Sequence, residues 1–251
     1  MMRKKEEMKM EAIKVTGLVK QYKSLTAVNG LDLEIRQGEL FSLLGVNGAG
    51  KTTVIKMLTC LTKPTEGDAL VGGYSVTKDP ERVKRRIGVS PQETAVAPNL
   101  TVEENLALIC GIHSFSKEKT KGKIEELTTQ FDLESVLKRK AGKLSGGWQR
   151  RVSIAMALIS EPAILFLDEP TLGLDVIARH DLWELIRSMK GEMTIILTTH
   201  YMEEAEALSN RIGILKNGAL LAVGTAEEMK QKAGTDDFEK AFISIVKEGW
   251  I

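Results

Sequence analysis

The chain has 251 residues, 43% hydrophobic and 27% charged, the balance of a globular chain able to bury a core, either as one large domain or as a domain with a sub-domain. Thirty-five Lys and Arg against 34 Asp and Glu leave a formal net charge of +1, so no nucleic-acid partner and no anionic lipid surface is expected on composition. No window approaches the roughly 18 consecutive apolar residues of a membrane helix, so if the protein serves a membrane another chain must span it.

The two cysteines, Cys60 and Cys110, fit a reducing cytosol as buried small hydrophobes better than they fit a disulfide framework. The first ten residues, MMRKKEEMKM, are charged throughout and lack the apolar core of a signal peptide, so a solvated lead-in is expected. From Ala12 to Glu39 the pattern is of short strands: Ile13-Lys14-Val15 alternates, and Leu31 to Ile35 alternates before the turn at Gln37-Gly38. Such alternation suits an antiparallel sheet with one buried face. Tyr22 lies between these runs and reads equally as an ordinary half-exposed tyrosine or as a binding residue.

The chain is organised around Glu39 to Leu61. The apolar run Leu40 to Leu44 has the length of a buried strand. Gly45-Val46-Asn47-Gly48-Ala49-Gly50-Lys51-Thr52 then fits the phosphate-loop pattern G-x-x-x-x-G-K-[ST] at every fixed position. Thr53 to Leu61 follows with apolar residues at Val54, Ile55, Met57, Leu58 and Leu61, at helical spacing. Glycines at 45, 48 and 50 let successive N–H groups turn inward around an anion, and the helix start adds open N–H groups and a positive dipole end. In such a loop Lys51 reaches the β- and γ-phosphates and the Thr52 hydroxyl ligates Mg²⁺.

Short strands are expected at Ala69 to Val71 and again before Pro91-Gln92. From Glu93 to Ser160 the pattern turns helical. Thr101-Val102-Glu103-Glu104 is a capping box, and Lys117 to Phe131 reads as a solvated helix. Ser145, within Leu144-Ser145-Gly146-Gly147-Trp148-Gln149-Arg150-Arg151, is placed as an N-cap whose two following glycines leave a helix start sterically open. Ala163 to Leu167 is an apolar strand delivering Asp168 and Glu169 at its end, where ligands bind in an open parallel sheet. There Asp168 can hold Mg²⁺ and Glu169 can orient or deprotonate a water, although two acids before Pro170 could also merely open a turn. Thr194 to His200 repeats the design, with His200 either structural or catalytic. Asn217-Gly218 between two apolar runs signals a hairpin. Helices follow at 226–232 and over Phe238 to Val246, the latter free to pack on the core or on a partner.

In this order the pieces resemble an ATP-binding cassette (ABC) ATPase over nearly the whole chain, from about Ala12 to about Gly249. Leu144-Ser145-Gly146-Gly147 shortly before an apolar-Asp-Glu-Pro strand is the most restrictive feature, because many unrelated enzymes share the phosphate loop alone. The resemblance implies an α/β fold: a P-loop NTPase core with a mainly parallel sheet, an antiparallel β sub-domain and an inserted helical sub-domain. It divides the chain into a cassette over 1–225, with the helical insert at about 93–160, and a helical tail over 226–251.

The resemblance also implies roles. Tyr22 stacks on adenine; Gly45, Asn47, Gly48, Ala49, Gly50, Lys51, Thr52 and Thr53 cradle the phosphates of ATP. Thr52 and Asp168 serve Mg²⁺, Glu169 is the catalytic base, His200 holds the γ-phosphate, and Gln92 contacts Mg²⁺ or the attacking water and reports occupancy to the helical sub-domain. Nothing near the loop supplies a second set of γ-phosphate donors, so Ser145, Gly146 and Gly147 are expected to come from a second subunit in a head-to-tail pair, with Asp175 at its seam. The position after Leu-Ser-Gly-Gly is usually Gln in this family and is Trp148 here, and Leu172 stands where a small or polar residue is common.

The segments Tyr201 to Glu206 and Asp237 to Phe242 look like those of bacterial-type exporter ATPases whose membrane permease is a separate chain. The expected protein is a Mg-dependent ATPase, cytoplasmic and peripheral on the inner face of the membrane, docked on its permease through Gln92 to Leu106. Two other classes are weaker. A soluble ABC protein of translation or DNA repair would carry a second cassette or a long heptad insertion. A non-catalytic nucleotide-binding regulator would lack Glu169 and His200.

Overall fold

The computed structural model describes residues 11–249, so the charged lead-in Met1 to Met10 lies outside the described residues. In chain order the elements are β1 (Glu11–Tyr22), β2 (Leu25–Arg36), β3 (Leu40–Leu44), α1 (Lys51–Leu58), β4 (Glu66–Val71), β5 (Tyr74–Ser75), α2 (Pro80–Lys84) and β6 (Ile87–Ser90). Then come α3 (Val102–Ile112), α4 (Lys117–Gln130), α5 (Gly146–Leu158), β7 (Ile164–Asp168), α6 (Val176–Ser188), β8 (Thr194–Thr199), α7 (Met202–Leu208), β9 (Arg211–Lys216), β10 (Ala219–Gly224), α8 (Ala226–Ala233) and α9 (Phe238–Glu248).

β1, β2, β4 and β5 form an antiparallel sheet in the order β2-β1-β4-β5. The alternation at its start sets the register, pairing Ile13 with Ile35 and Val15 with Leu33, all four buried. The second sheet runs β10-β9-β3-β8-β7-β6, parallel from β9 to β6, with antiparallel β10 at one edge. Every residue of β3, β7 and β8 is buried, which explains their continuous apolar runs: a parallel strand covered on both faces has no polar side to present. The carboxyl ends of β3, β7 and β8 lie side by side, with Leu44 opposite Thr199 and Asp168 opposite Thr198.

Three apolar clusters cover the sheets. Ile13, Phe41, Val54, Met57 and Phe166 join the antiparallel sheet to α1 and one face of the parallel sheet. Leu106, Leu127, Phe131, Val152 and Leu167 run from the helices of residues 102–158 onto the opposite face. Phe238, Phe242 and Ile245 of α9 pack on Leu44, Ile212 and Ile214, each such buried side chain contributing roughly 1.5–3 kcal/mol. The amphipathic tail therefore covers the sheet.

Several expected elements differ in detail. The first helix begins at Lys51, two residues early, because Gly50 supplies a left-handed N-cap at φ 107°. It ends at Leu58 rather than Leu61: the Thr59 hydroxyl donates back to the Ile55 carbonyl and Cys60 turns the chain at φ 58°, leaving Leu61 exposed. Cys60 thus lies beyond the helix and is half-buried, whereas Cys110 is buried. The short α2, with Pro80 at its first turn, and helices α6 and α7 were not anticipated. The capping box at Thr101 and Glu104 forms with both reciprocal bonds, and Asn217 and Gly218, at φ 49° and 78°, make the tight hairpin between β9 and β10.

Candidate functional site

The carboxyl ends of β3, β7 and β8 open into a cleft of about 740 Å³ lined by Tyr22, Asn47, Gly48, Ala49, Gly50, Lys51, Thr52, Thr53, Gln92, Glu169 and His200. Eleven of the expected site residues therefore share one cavity, although they come from segments spread over nearly 180 positions. Leu25, Thr26, Ala27, Leu172 and Asn217 also line it; Leu25, Thr26 and Ala27 belong to no motif, and the sequence marks Leu172 only as a departure from the family pattern and Asn217 only as part of a hairpin turn.

Each group is held for an identifiable reason. Gly45 sits behind the loop, where a Cβ would meet the Leu215 carbonyl oxygen at 2.4 Å, and its own carbonyl accepts from Lys51 Nζ at 2.7 Å. Gly50 takes a φ of 107°, and a Cβ there would meet the Ala27 oxygen at 2.5 Å. Lys51, buried at the first turn of α1, also donates to the Val46 carbonyl and lies 3.3 Å from Glu169 Oε1. A buried ammonium with these three partners is the strongest fixed positive charge in the cleft.

Asp168 Oδ1 accepts from Thr52 Oγ1 at 3.3 Å and from the Thr198 hydroxyl. Thr198 was expected only as part of the run Thr194 to His200; the Asp168–Thr198 register of β7 against β8 makes it the support of both acids. Its hydroxyl accepts from the Glu169 N–H at 2.9 Å, and its carbonyl accepts from the same N–H at 3.1 Å. Those bonds hold Glu169 at φ 47°, a left-handed conformation that costs a non-glycine residue about 1–3 kcal/mol and concentrates at functional sites. The Glu169 carboxylate lies between Lys51 and His200, whose Nδ1 is 2.9 Å from Oε2.

Gln92 lies on the exposed loop after β6, and Arg150 ties that loop to α5. The buried guanidinium donates to the Pro91 and Gln92 carbonyls at 2.5 and 2.6 Å. Burial pulls Arg150 below the ordinary guanidinium value, and the charge of Asp168 opposes that. Tyr22 is 43% exposed at the rim, with Lys20 Nζ 5.0 Å from its ring centre.

Ser145, Gly146 and Gly147 do not line this cleft. They form the start of α5, where Ser145 and Gly146 are exposed. Ser145 occupies the N-cap position, but its hydroxyl makes no capping bond; only its carbonyl is engaged, by the Gln149 N–H. The expected side-chain cap is therefore corrected to an open helix start. Beside it, Gly146 would place a Cβ 3.5 Å from Leu174 and Gly147 a Cβ 3.1 Å from Ala178, on the segment that Asp175 opens by capping α6. Trp148 packs on the helical cluster, with the Arg151 guanidinium 5.3 Å from its ring.

Chemically, the cleft offers a glycine-rich loop at the start of α1, one buried ammonium, a hydroxyl–carboxylate oxygen pair, and a carboxylate held between Lys51 and His200. That is equipment for a polyphosphate and for moving a proton beside it.

Comparison with known proteins gives the same reading. A family model described as ABC transporter matches residues 28–172. The chain is 42% identical over 226 residues to the doxorubicin resistance ATP-binding protein DrrA of Mycobacterium tuberculosis, covering 89% of this chain and 68% of the relative. Among solved structures, the ATP-binding subunit of an ABC transporter superimposes with a TM-score of 0.82 at 29% identity, covering 94% of this chain and 99% of that one. A dimeric ATP-binding cassette in a post-hydrolysis state with ADP and Pi superimposes at 0.77 and 30% identity, covering 85% and 98%.

Proposed function

We infer, from the premise that this chain belongs to the ABC transporter family, how its residues divide the work of the ATPase. The chain is an ATP-binding and ATP-hydrolysing subunit of an ABC transporter, powering a separate permease. The roles of individual residues are our proposal, and one observation carries it: Glu169 is held in a left-handed conformation with its carboxylate between Lys51 and His200, facing the phosphate loop.

In this reading the N–H groups of residues 47–53 and the Lys51 ammonium bind the β- and γ-phosphates of ATP. Tyr22, exposed at the rim, stacks on adenine. The loop and its surroundings fit Mg²⁺ as well: Thr52 Oγ1 and Asp168 Oδ1, 3.3 Å apart, are the hard oxygen donors that ion takes together with phosphate oxygens. When bound, Mg²⁺ neutralises charge on the β- and γ-oxygens during transfer. Phosphate in the loop draws Lys51 from Glu169, and the freed Glu169 carboxylate takes the proton of the attacking water. His200 holds that carboxylate through Nδ1 and steadies the γ-phosphate. Gln92, tethered by Arg150, carries the state of the site to the helices of residues 93–160, which we read as the inserted sub-domain beside a tail over 226–251.

Ser145, Gly146 and Gly147 complete the site from a second subunit. The exposure of Ser145 and Gly146, the missing cap bond and the dimeric solved relative support this. We further infer docking on a permease at the inner face of the membrane through the loop after Gln92 and α3, where Leu108 and Ile112 are exposed. Among the described residues no helix is long and apolar enough to cross a membrane. The resistance function in the relative's name supports an export direction. The deciding experiment is Glu169→Gln in the tagged full-length chain. Hydrolysis should fall about a hundredfold or more while ATP affinity persists, with the chain still recovered alongside an integral membrane protein. Undiminished hydrolysis removes Glu169 as the base, and recovery free of any membrane protein removes the permease.

A further inference from the structure

Glu204 is a fully buried acid outside the cleft, in the first turn of α7. Its Oε1 accepts two hydrogen bonds, from the Thr171 hydroxyl at 2.8 Å and from the Trp183 indole N–H at 2.9 Å. No direct hydrogen bond of ordinary geometry reaches its Oε2, although the Thr199 hydroxyl also acts on the carboxyl. No Lys, Arg or His forms an ion pair with it among the described residues; the nearest charged influence is Arg179 of α6.

The two donors come from consequential places. Thr171 lies two residues beyond Glu169, on the segment leading to Asp175, and Trp183 sits in α6, which Asp175 caps. Glu204 follows His200 by four residues. The contacts therefore close a ring: the Glu169 carboxylate bonds His200, the chain runs from His200 to Glu204, Glu204 bonds Thr171, and the chain returns from Thr171 to Glu169. A parallel brace reinforces it, with Arg179 5.3 Å from the Tyr201 ring and that ring 4.1 Å from His200. Arg187 Nη2 also donates to the Ala207 carbonyl at 3.2 Å.

Resting on the assignment of Glu169 and His200 above, we propose that Glu204 is a positioning residue for hydrolysis, closing a hydrogen-bonded ring that fixes Glu169 and His200 relative to each other and couples both to the segment ending at Asp175. A displacement at Asp175, as a second subunit engages, passes through Thr171 and Trp183 to Glu204 and so to the corner carrying His200. Glu204 does this uncharged. A buried carboxylate with only neutral donors around it and no counter-ion is expensive, whereas the acid form needs no cation. Burial pushes its carboxyl above the usual range, and the Thr199, Thr171 and Trp183 donors and Arg179 oppose this. The acids nearest its helix, Glu203, Glu206, Asp237 and Glu239, line a separate cleft with Arg179 and Tyr201 and give it no cation.

The test is steady-state ATP hydrolysis by the full-length chain carrying Glu204→Gln, Glu204→Ala, Thr171→Val or Trp183→Phe, with ATP affinity and Tm measured beside it. Gln is the neutral isostere, so Glu204→Gln should keep kcat within about twofold, while Glu204→Ala loses about tenfold or more in kcat with KM for ATP changed less than about threefold. Thr171→Val should lower kcat several-fold at unchanged KM. Folded Glu204→Ala with unchanged kcat overturns the proposal, as does a fall in kcat and ATP affinity together that Gln fails to rescue. If Glu204→Ala does not fold, Thr171→Val and Trp183→Phe decide: lowered kcat at unchanged KM supports the ring, and unchanged kcat sinks it. Glu169→Gln, assayed in parallel, separates the two levels. If it hydrolyses normally, the assignment of the base fails; if it is inactive while the Glu204 and Thr171 variants match wild type, only the ring fails.

Discussion

Residues 45–53 and residues 144–147 are both glycine-rich and both open a helix, yet within one chain only the first is built into a cleft. The phosphate loop follows the central strand β3, its ammonium is buried and three-fold bonded, and the neighbouring strands β7 and β8 bring Asp168, Glu169 and His200 to it. The start of α5 has Gly146 exposed and Gly147 half-buried, no capping side chain, and Leu174 and Ala178 as the nearest neighbours of its glycines. A glycine-rich helix start is thus a possibility that neighbouring strands turn into a site. Where no neighbour in the same chain does so, a second chain is the natural supplier.

The sharpest way to separate the two regions is to damage each alone. Lys51→Ala removes the buried positive charge and should weaken ATP binding by about a hundredfold, a loss read by titration with a fluorescent ATP analogue. Gly146→Asp should do the opposite. Its Cβ would meet Leu174 at an ordinary 3.5 Å, and an acid in the first turn favours the helix, so fold and ATP binding by the single chain should survive. Hydrolysis should nevertheless fall about a hundredfold, because a carboxylate now faces the incoming phosphates. Equal loss of ATP affinity in both variants would erase the distinction.

A smaller effect is expected at the link between the regions. Arg150→Ala leaves the Pro91 and Gln92 carbonyls without their donor, which should cost about 1–3 kcal/mol in urea unfolding. It should also slow hydrolysis several-fold at unchanged ATP affinity, since α5 no longer holds the loop that carries Gln92. Unchanged kcat would leave Arg150 a purely structural group.

The smallest effect concerns pH. The Glu204 carboxyl is raised from its ordinary value of 4.5 by burial. A carboxyl raised on folding contributes stability that is fully present below the unfolded value and is lost as pH rises through the folded one. Glu204→Gln removes that loss, so its Tm relative to wild type should rise steadily as pH is raised from 5 to 8. A constant offset across that range would mean that Glu204 is charged.

What was legible in the sequence follows from how local each feature is. The phosphate loop lies within nine residues and its fixed positions follow from one pattern. The same holds for the Asn217-Gly218 turn, whose backbone requirement few residues meet. Tyr22, Gln92 and His200, by contrast, gained roles only through the family resemblance. Thr198 and Glu204 were not legible in their roles. Thr198 matters because β8 pairs in register with β7, and Glu204 because α6 folds back over α7; both partnerships span 30 or more positions in Thr198–Asp168 and Thr171–Glu204. Arg150 sits beside a recognised motif, but its partners are backbone carbonyls 59 and 58 residues away, which carry no signal in side-chain identity. Ser145 shows the converse: its type indicated a cap, and the structure leaves its hydroxyl out of the cap.

The central claim is that one chain holds half of the site. Light scattering on purified Glu169→Gln, with and without ATP and Mg²⁺, tests it most directly. The account predicts a single chain without nucleotide and a stable pair with it, abolished by adding Gly146→Asp. A variant that binds ATP fully and remains a single chain at saturating nucleotide would contradict it.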